Sequence, residues 1–163
     1  MFNLIKVLIV TMVLITGLMI SANADASTPT KIGNWGSLTE GKNTVIWIKS
    51  TPDTIKHDQD ATLIIRCVKG KLSLAVDYHR PLSGRNFMLA TSADGKDFRH
   101  ASDWNRSGSK IFASSPVGNV LRMLDATYYH VRLYNSGIPL RAAFEVAGIK
   151  EAIKPIQKFC KKL

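Results

Sequence analysis

Acidic residues are scarce in this chain and cysteine is nearly absent. Among 163 residues there are 12 Asp and Glu against 22 Lys and Arg, and the cysteines are Cys67 and Cys160. A chain of this length can bury a real core, so the fold need not lean on staples. No Gly-x-Ser-x-Gly elbow, zincin motif or phosphate loop occurs, which removes the usual sequence marks of a hydrolase, a metalloprotease or a nucleotide site. The histidines lack ligand spacing. "HDQD" at His57–Asp60 reads as a solvated turn, and neither a metal nor a cofactor is expected. There is no internal repeat and no long linker, so the chain reads as one domain.

The only long apolar run is at the amino terminus. Val7–Ile20 is apolar for 14 residues after Lys6, and "SANA" follows, with Ala22 and Ala24 in a small-x-small arrangement. A spanning helix needs roughly 20 apolar residues, so the run reads as a signal segment cleaved after Ala24. The competing reading is an uncleaved anchor. No cysteine follows Ala24, which argues against a lipoprotein. Cleavage leaves residues 25–163, expected to be soluble, exported and free of a transmembrane anchor. It removes one basic residue and no acidic one, leaving 21 Lys and Arg against 12 Asp and Glu, a net charge of +9.

Export turns this charge away from nucleic acid and towards an anionic envelope polymer, lipid headgroups or an acidic envelope protein. A merely solubilising cationic surface is the plain alternative. Export also changes the reading of the cysteines. An even count in an oxidising compartment reads as a disulfide, against the alternative of two buried free thiols. A disulfide would disfavour a cysteine nucleophile.

The remaining chain alternates apolar and polar residues in short segments. Leu63, Ile65 and Cys67 share one face of "ATLIIRCV". Leu72, Leu74 and Val76 share one face of "KLSLAVDY". A two-residue turn at Lys69–Gly70 would set Cys67 opposite Leu72, Ile65 opposite Leu74 and Leu63 opposite Val76, all facing the core. Further strands are expected at "NTVIWIKS" and "KIFASS". "NFMLATS" and "DFRHASDW" are expected to form a hairpin through the turn "ADGK". In "YYHVRLY" Tyr129, Val131 and Leu133 point inward, and in "PLRAAFEVAG" Leu140, Ala142, Phe144 and Val146 do so. "PVGNVLRMLDA" reads as a helix with Val120, Leu121 and Leu124 as its contacts.

After Gly148, the residues Ile149, Ala152, Ile153, Ile156 and Cys160 recur at helical spacing. Pro155 implies a kink near Lys154 or a new helix start. Residues 25–34 read as a loose lead. The fold class is mainly β: an antiparallel β-sandwich-like domain with two short helices, the carboxyl-terminal one held to the sheet by a Cys67–Cys160 disulfide.

Two exposed groups suggest contact surfaces. Tyr128, His130, Arg132 and Tyr134 would stand side by side on the outer face of "YYHVRLY", with Arg141 and Glu145 nearby. Arginine and exposed aromatics are enriched at protein contacts. The alternative is a face covered by another layer. Lys150, Lys154, Lys158 and Lys161 fall mostly on the polar side of the terminal helix, where they would attract an anionic polymer. Trp35, Trp47 and Trp104 read as core or core-edge residues. A Ser-His-Asp group assembled in space leaves no sequence mark.

Three stretches carry a resemblance. "LIIRC" on a strand followed by a hairpin partner, the order of "DFRHASDWNRSGSKIFASSPVGNVLRML", and the closing "FEVAGIKEAIKPIQKFC" resemble the VasI/TagO family across Ala61–Cys160. The resemblance implies a periplasmic accessory or binding domain associated with type VI secretion. It carries over no catalytic residue. Cys67 and Cys160 match that family's paired cysteines. The competing functions are an envelope-polymer hydrolase and an exported inhibitor of a lysozyme-like enzyme.

Overall fold

The computed structural model describes residues 27–51, 60–82, 87–101, 104–135, 138–160 and 163. The signal segment and His57 of "HDQD" lie outside these residues. In chain order the elements are β1 (Thr30–Ile32), β2 (Trp35–Glu40), β3 (Asn43–Lys49), β4 (Thr62–Val68), β5 (Lys71–Asp77), β6 (Phe87–Ala93), β7 (Arg99–His100), β8 (Trp104–Ser107), β9 (Lys110–Ala113), α1 (Pro116–Met123), β10 (Tyr128–Asn135), β11 (Ile138–Glu145), α2 (Ile149–Ala152) and α3 (Lys154–Phe159). The strands form a seven-stranded sheet, β1-β2-β3-β4-β5-β9-β8, and a four-stranded sheet, β11-β10-β6-β7. Every pairing is antiparallel.

The β4–β5 hairpin has the expected register: Cys67 faces Leu72, Ile65 faces Leu74 and Leu63 faces Val76. Lys69 and Gly70 both have positive φ, 51° and 74°, as a two-residue turn matched to the strand twist requires. Leu63, Ile65, Cys67, Leu74 and Val76 are fully buried. They join the inward residues of the small sheet, Tyr129, Val131, Leu133, Leu140, Ala142 and Phe144, in one continuous core.

The disulfide forms between Cys67 and Cys160, with their Cα atoms 5.9 Å apart. Ile149, Ala152, Ile153 and Ile156 are buried beside it, so the terminal segment covers β3 and β4 on the core side. The segment breaks at Ile153, between α2 and α3, because Pro155 has no amide to continue the ladder. Closing a loop of 93 residues restricts the unfolded chain by roughly 4–5 kcal/mol in the chain-entropy account.

Three expectations change. Residues 30–32 are an edge strand, since the turn at Gly33, φ 60°, brings Ile32 opposite Trp35. The second hairpin is short. Only Arg99 and His100 pair with β6, whereas Trp104 crosses to the large sheet and pairs with Ala113. Burying the indole of Trp104 in the core outweighs continuing a strand through polar residues. In α1 the buried residues are Val120 and Met123, while Leu121 is 49% exposed. The helix turns the 120/123 edge inward, and Leu124 is only partly buried.

α1 fastens the small sheet from the core side. Arg122 Nη1 donates to Thr91 Oγ1 at 3.0 Å and Nη2 to the Thr91 carbonyl at 3.4 Å. Tyr129 Oη donates to Asn119 Oδ1 at 2.8 Å. The sheets also meet where the Thr51 amide donates to the Ala143 carbonyl at 2.9 Å.

Candidate functional site

The alternation of β10 sends Tyr129, Val131 and Leu133 into the core and leaves Tyr128, His130, Arg132 and Tyr134 on the other face. None of these four is buried. β10 lies between β11 and β6, so both neighbours contribute to this face. Register sets Arg132 between Arg141 and Ala90, Tyr134 between Pro139 and Met88, and Tyr128 opposite Glu145. Met88 is 61% exposed, so no second layer covers the face at that point.

Phe98, on the connection between β6 and β7, shapes the centre. The Arg132 guanidinium carbon sits 3.5 Å from the Phe98 ring centroid. The Phe98 and His130 rings meet edge to face at 6.3 Å, and Tyr128 lies 6.1 Å from His130. Stacking on a ring holds the guanidinium in plane while its N–H edge stays available. The strand start is held by Asp94, whose Oδ1 accepts from the amides of Thr127 and Tyr128, both at 2.8 Å. The Tyr128 amide, against the opposing effect of desolvation and with the Thr127 amide and the charges of Lys96 and His130 adding to it, keeps this carboxyl below its ordinary range.

The electrostatics of the face are unbalanced. Arg132 and Arg141 are directly opposed on adjacent strands, a placement that disfavours two like charges. Arg141 Nε is buried and makes no hydrogen bond. Among the described residues no carboxylate pairs with either arginine. Phe98 and Asp94 were missed from the sequence. The Asp-Gly turn was readable, but its proximity to β10 is a tertiary fact.

The predicted lysines lie elsewhere. Lys150, Lys154 and Lys158 ride on α2 and α3, which pack on the large sheet. Lys150 pairs with Asp125 at 2.9 Å, and Lys154 pairs with Glu151. Lys158 Nζ lies 5.7 Å from the Phe159 ring centroid. Two of the three charges are therefore paired within the fold, at exposed positions. Lys161 lies outside the described residues.

One group has the residue types of a catalytic triad. Thr62 Oγ1 and His79 Nε2 share a hydrogen bond of 2.9 Å. However, His79 Nδ1 is 3.9 Å from Asp77 Oδ1, beyond hydrogen-bond range, and Thr62 is buried. Asp77 instead accepts from the His79 amide at 3.0 Å and pairs with Lys110 at 2.9 Å. Burial alone would raise its pKa; hydrogen bonds from Lys110, Ser109 and the His79 amide, together with the Lys110 charge, hold it at about 2. This arrangement closes the end of β5 against β4 and β9. Among the described residues, no three His, Cys, Asp or Glu side chains converge as metal ligands, and no helix is long and apolar enough to cross a membrane.

No family model matches the sequence, and no curated protein is similar to it in sequence. The fold nevertheless has a counterpart in the crystal structure of invasion associated protein B from Bartonella henselae. The two superpose with a TM-score of 0.57 over 83% of this chain and 100% of that one, at 11% identity. The chain thus has the fold of an invasion-associated-protein-B-like β domain, and at this identity the likeness concerns the fold.

Proposed function

We propose that this chain is an exported, non-enzymatic accessory domain that docks an anionic envelope partner on the outer face of β10. The observation that carries this reading is the Arg132–Arg141 pair: two opposed guanidinium groups without an acidic partner among the described residues, one of them stacked on Phe98. A carboxylate or phosphate seated between them relieves the like-charge opposition, and charge-assisted bonds to arginine are the strong ones. Tyr128, Tyr134 and Met88 supply flanking contact area. The +9 charge of the mature chain draws an anion in from a distance. Export rests on the apolar run ending at "SANA" and agrees with the Cys67–Cys160 disulfide. The finer reading, an accessory of type VI secretion, rests on the sequence resemblance alone.

The test is co-sedimentation of the mature chain with purified anionic envelope polymer, and co-purification from envelope extracts, at low and high salt. Exposed charges are screened over about 10 Å at 0.1 M salt, so retention is expected to fall steeply with salt and to be lost in Arg132→Ala/Arg141→Ala. Retention of the polymer assigns the partner to that class; retention only of an acidic protein assigns it to the other. Salt-independent binding that survives the double substitution overturns the reading.

A further inference from the structure

The outer face of the large sheet carries a cavity that the β10 surface does not use. It has a volume of about 580 Å³ and lies where β1, β2 and β3 approach the end of β11. That size falls within the roughly 300–1,000 Å³ of small-molecule sites. Its floor is Trp47, and the strand register fixes the position of this side chain. Register places Lys31, Gly36 and Trp47 side by side across β1, β2 and β3. A Cβ on Gly36 would lie 2.3 Å from Trp47 Cε2 and 2.7 Å from Nε1. The indole therefore lies down on the β2 backbone, where only glycine leaves room for it.

The rim is polar and comes from separate elements. Lys31 stands on β1 and Lys49 two residues beyond Trp47 on the same face of β3. Asn34 and Glu145 reach the rim from the β1–β2 turn and from β11, where Asn34 Nδ2 donates to Glu145 Oε2 at 3.4 Å. Two ammonium groups and one carboxylate leave the rim with one positive charge in excess. An indole floor presents a negative π-face that favours C–H bonds directed at it. The amide and carboxylate supply a donor and an acceptor for hydroxyl groups, and the lysines supply point charges for an anion. Saturated C–H surface, several hydroxyls and one negative charge describe an acidic sugar unit. We propose that this cavity binds a single sugar residue bearing a carboxylate or phosphate, as a subsite separate from the β10 face.

The experiment is a titration of the ¹⁵N-labelled mature chain with glucuronic acid, glucose 6-phosphate, glucose and AMP, observed at the indole N–H resonances. Trp47→Phe identifies the Trp47 signal, and Trp35 and Trp104, buried in the core, serve as internal controls. The acidic sugars are expected to move the Trp47 signal and leave the other two in place. Glucose is expected to bind about tenfold more weakly, and Lys31→Gln/Lys49→Gln to weaken the acidic sugars by a similar factor, as loss of a charged hydrogen bond implies. A shift by glucuronic acid alone or by glucose 6-phosphate alone distinguishes a carboxylate from a phosphate ligand. Arg132→Ala is expected to leave these titrations unchanged, so the cavity and the β10 reading fail separately. No movement of the Trp47 signal with any sugar at millimolar concentration, equal binding by the double-lysine variant, or tighter binding of AMP overturns the proposal.

Discussion

The two sheets of this domain treat their charges differently. Across β4, β5 and β9 on the outer face of the seven-stranded sheet, the charged side chains are held within the chain: Asp77 takes Lys110, and Arg66 Nε donates to Ser73 Oγ at 2.8 Å. On the outer face of the four-stranded sheet, Arg132 and Arg141 oppose one another and the cation is held by an aromatic ring instead of an acid. The core-side faces differ as well. The large sheet is closed by a helical segment bonded covalently through Cys160, whereas the small sheet is fastened by polar contacts from α1, chiefly Arg122 to Thr91. The β4–β5–β9 part of the large sheet is finished within the chain, whereas the small sheet keeps a surface whose electrostatic balance requires something from outside.

The largest effect is expected at the covalent closure. Cys160→Ser should lower stability by about 2–5 kcal/mol in denaturant titration, the usual range for a native bridge in a small domain. Hydrogen exchange should show α3 losing protection before β4, because the segment beyond Pro155 is short and depends on this anchor. Equal protection of α3 with and without the bond would mean that burial of Ile149, Ile153 and Ile156 suffices, and the contrast in closure would disappear.

A smaller effect is expected where charge is matched. Asp77→Asn should cost about 1–2 kcal/mol at neutral pH through the lost ion pair and hydrogen bonds. The folded carboxyl titrates at about 2 against an ordinary value of 3.8. Its stabilisation is therefore complete above the ordinary value and disappears as pH falls towards 2. Acid denaturation of the wild type should carry a slope in that window that Asp77→Asn lacks. Identical acid profiles would show that the large sheet gains nothing from this pair.

The smallest effect on stability is expected at the unbalanced face. Arg132→Ala loses stacking on Phe98, about 0.5–1 kcal/mol at an exposed site, and gains relief from Arg141 of similar size. Thermal unfolding should therefore place the variant within about 0.5 kcal/mol of wild type, while retention on an anionic partner is reduced. A strongly destabilised Arg132→Ala would make the cation a structural element and remove the distinction between the sheets.

Much of the architecture was legible because it is local or periodic. Alternation in "LIIRCV" and "KLSLAV", with a turn pair able to take positive φ, sets the hairpin register without any knowledge of the rest. Period 3.6 and Pro155 set the buried stripe and the break in the terminal segment. These two independent periodicities brought the same two sulfurs to the core side. The β10 alternation likewise put Tyr128, His130, Arg132 and Tyr134 on one face, because a strand leaves no other choice for every second residue.

What the chain's own order left undecided is long-range neighbourhood. Whether "DFRHASDW" stays beside β6 or crosses to β9 depends on which sheet buries Trp104, and local propensity is silent on that point. The pairing of Lys150 with Asp125, which removes one charge from the expected lysine face, joins residues 25 apart through the packing of α2. Phe98 beneath Arg132, and Asn34 beside Glu145 across 111 residues, are contacts between elements whose spacing in sequence carries no period. Periodicity reports which way a side chain points. Only the packing of sheet on sheet and helix on sheet, driven by burial of one shared core, decides what it points at.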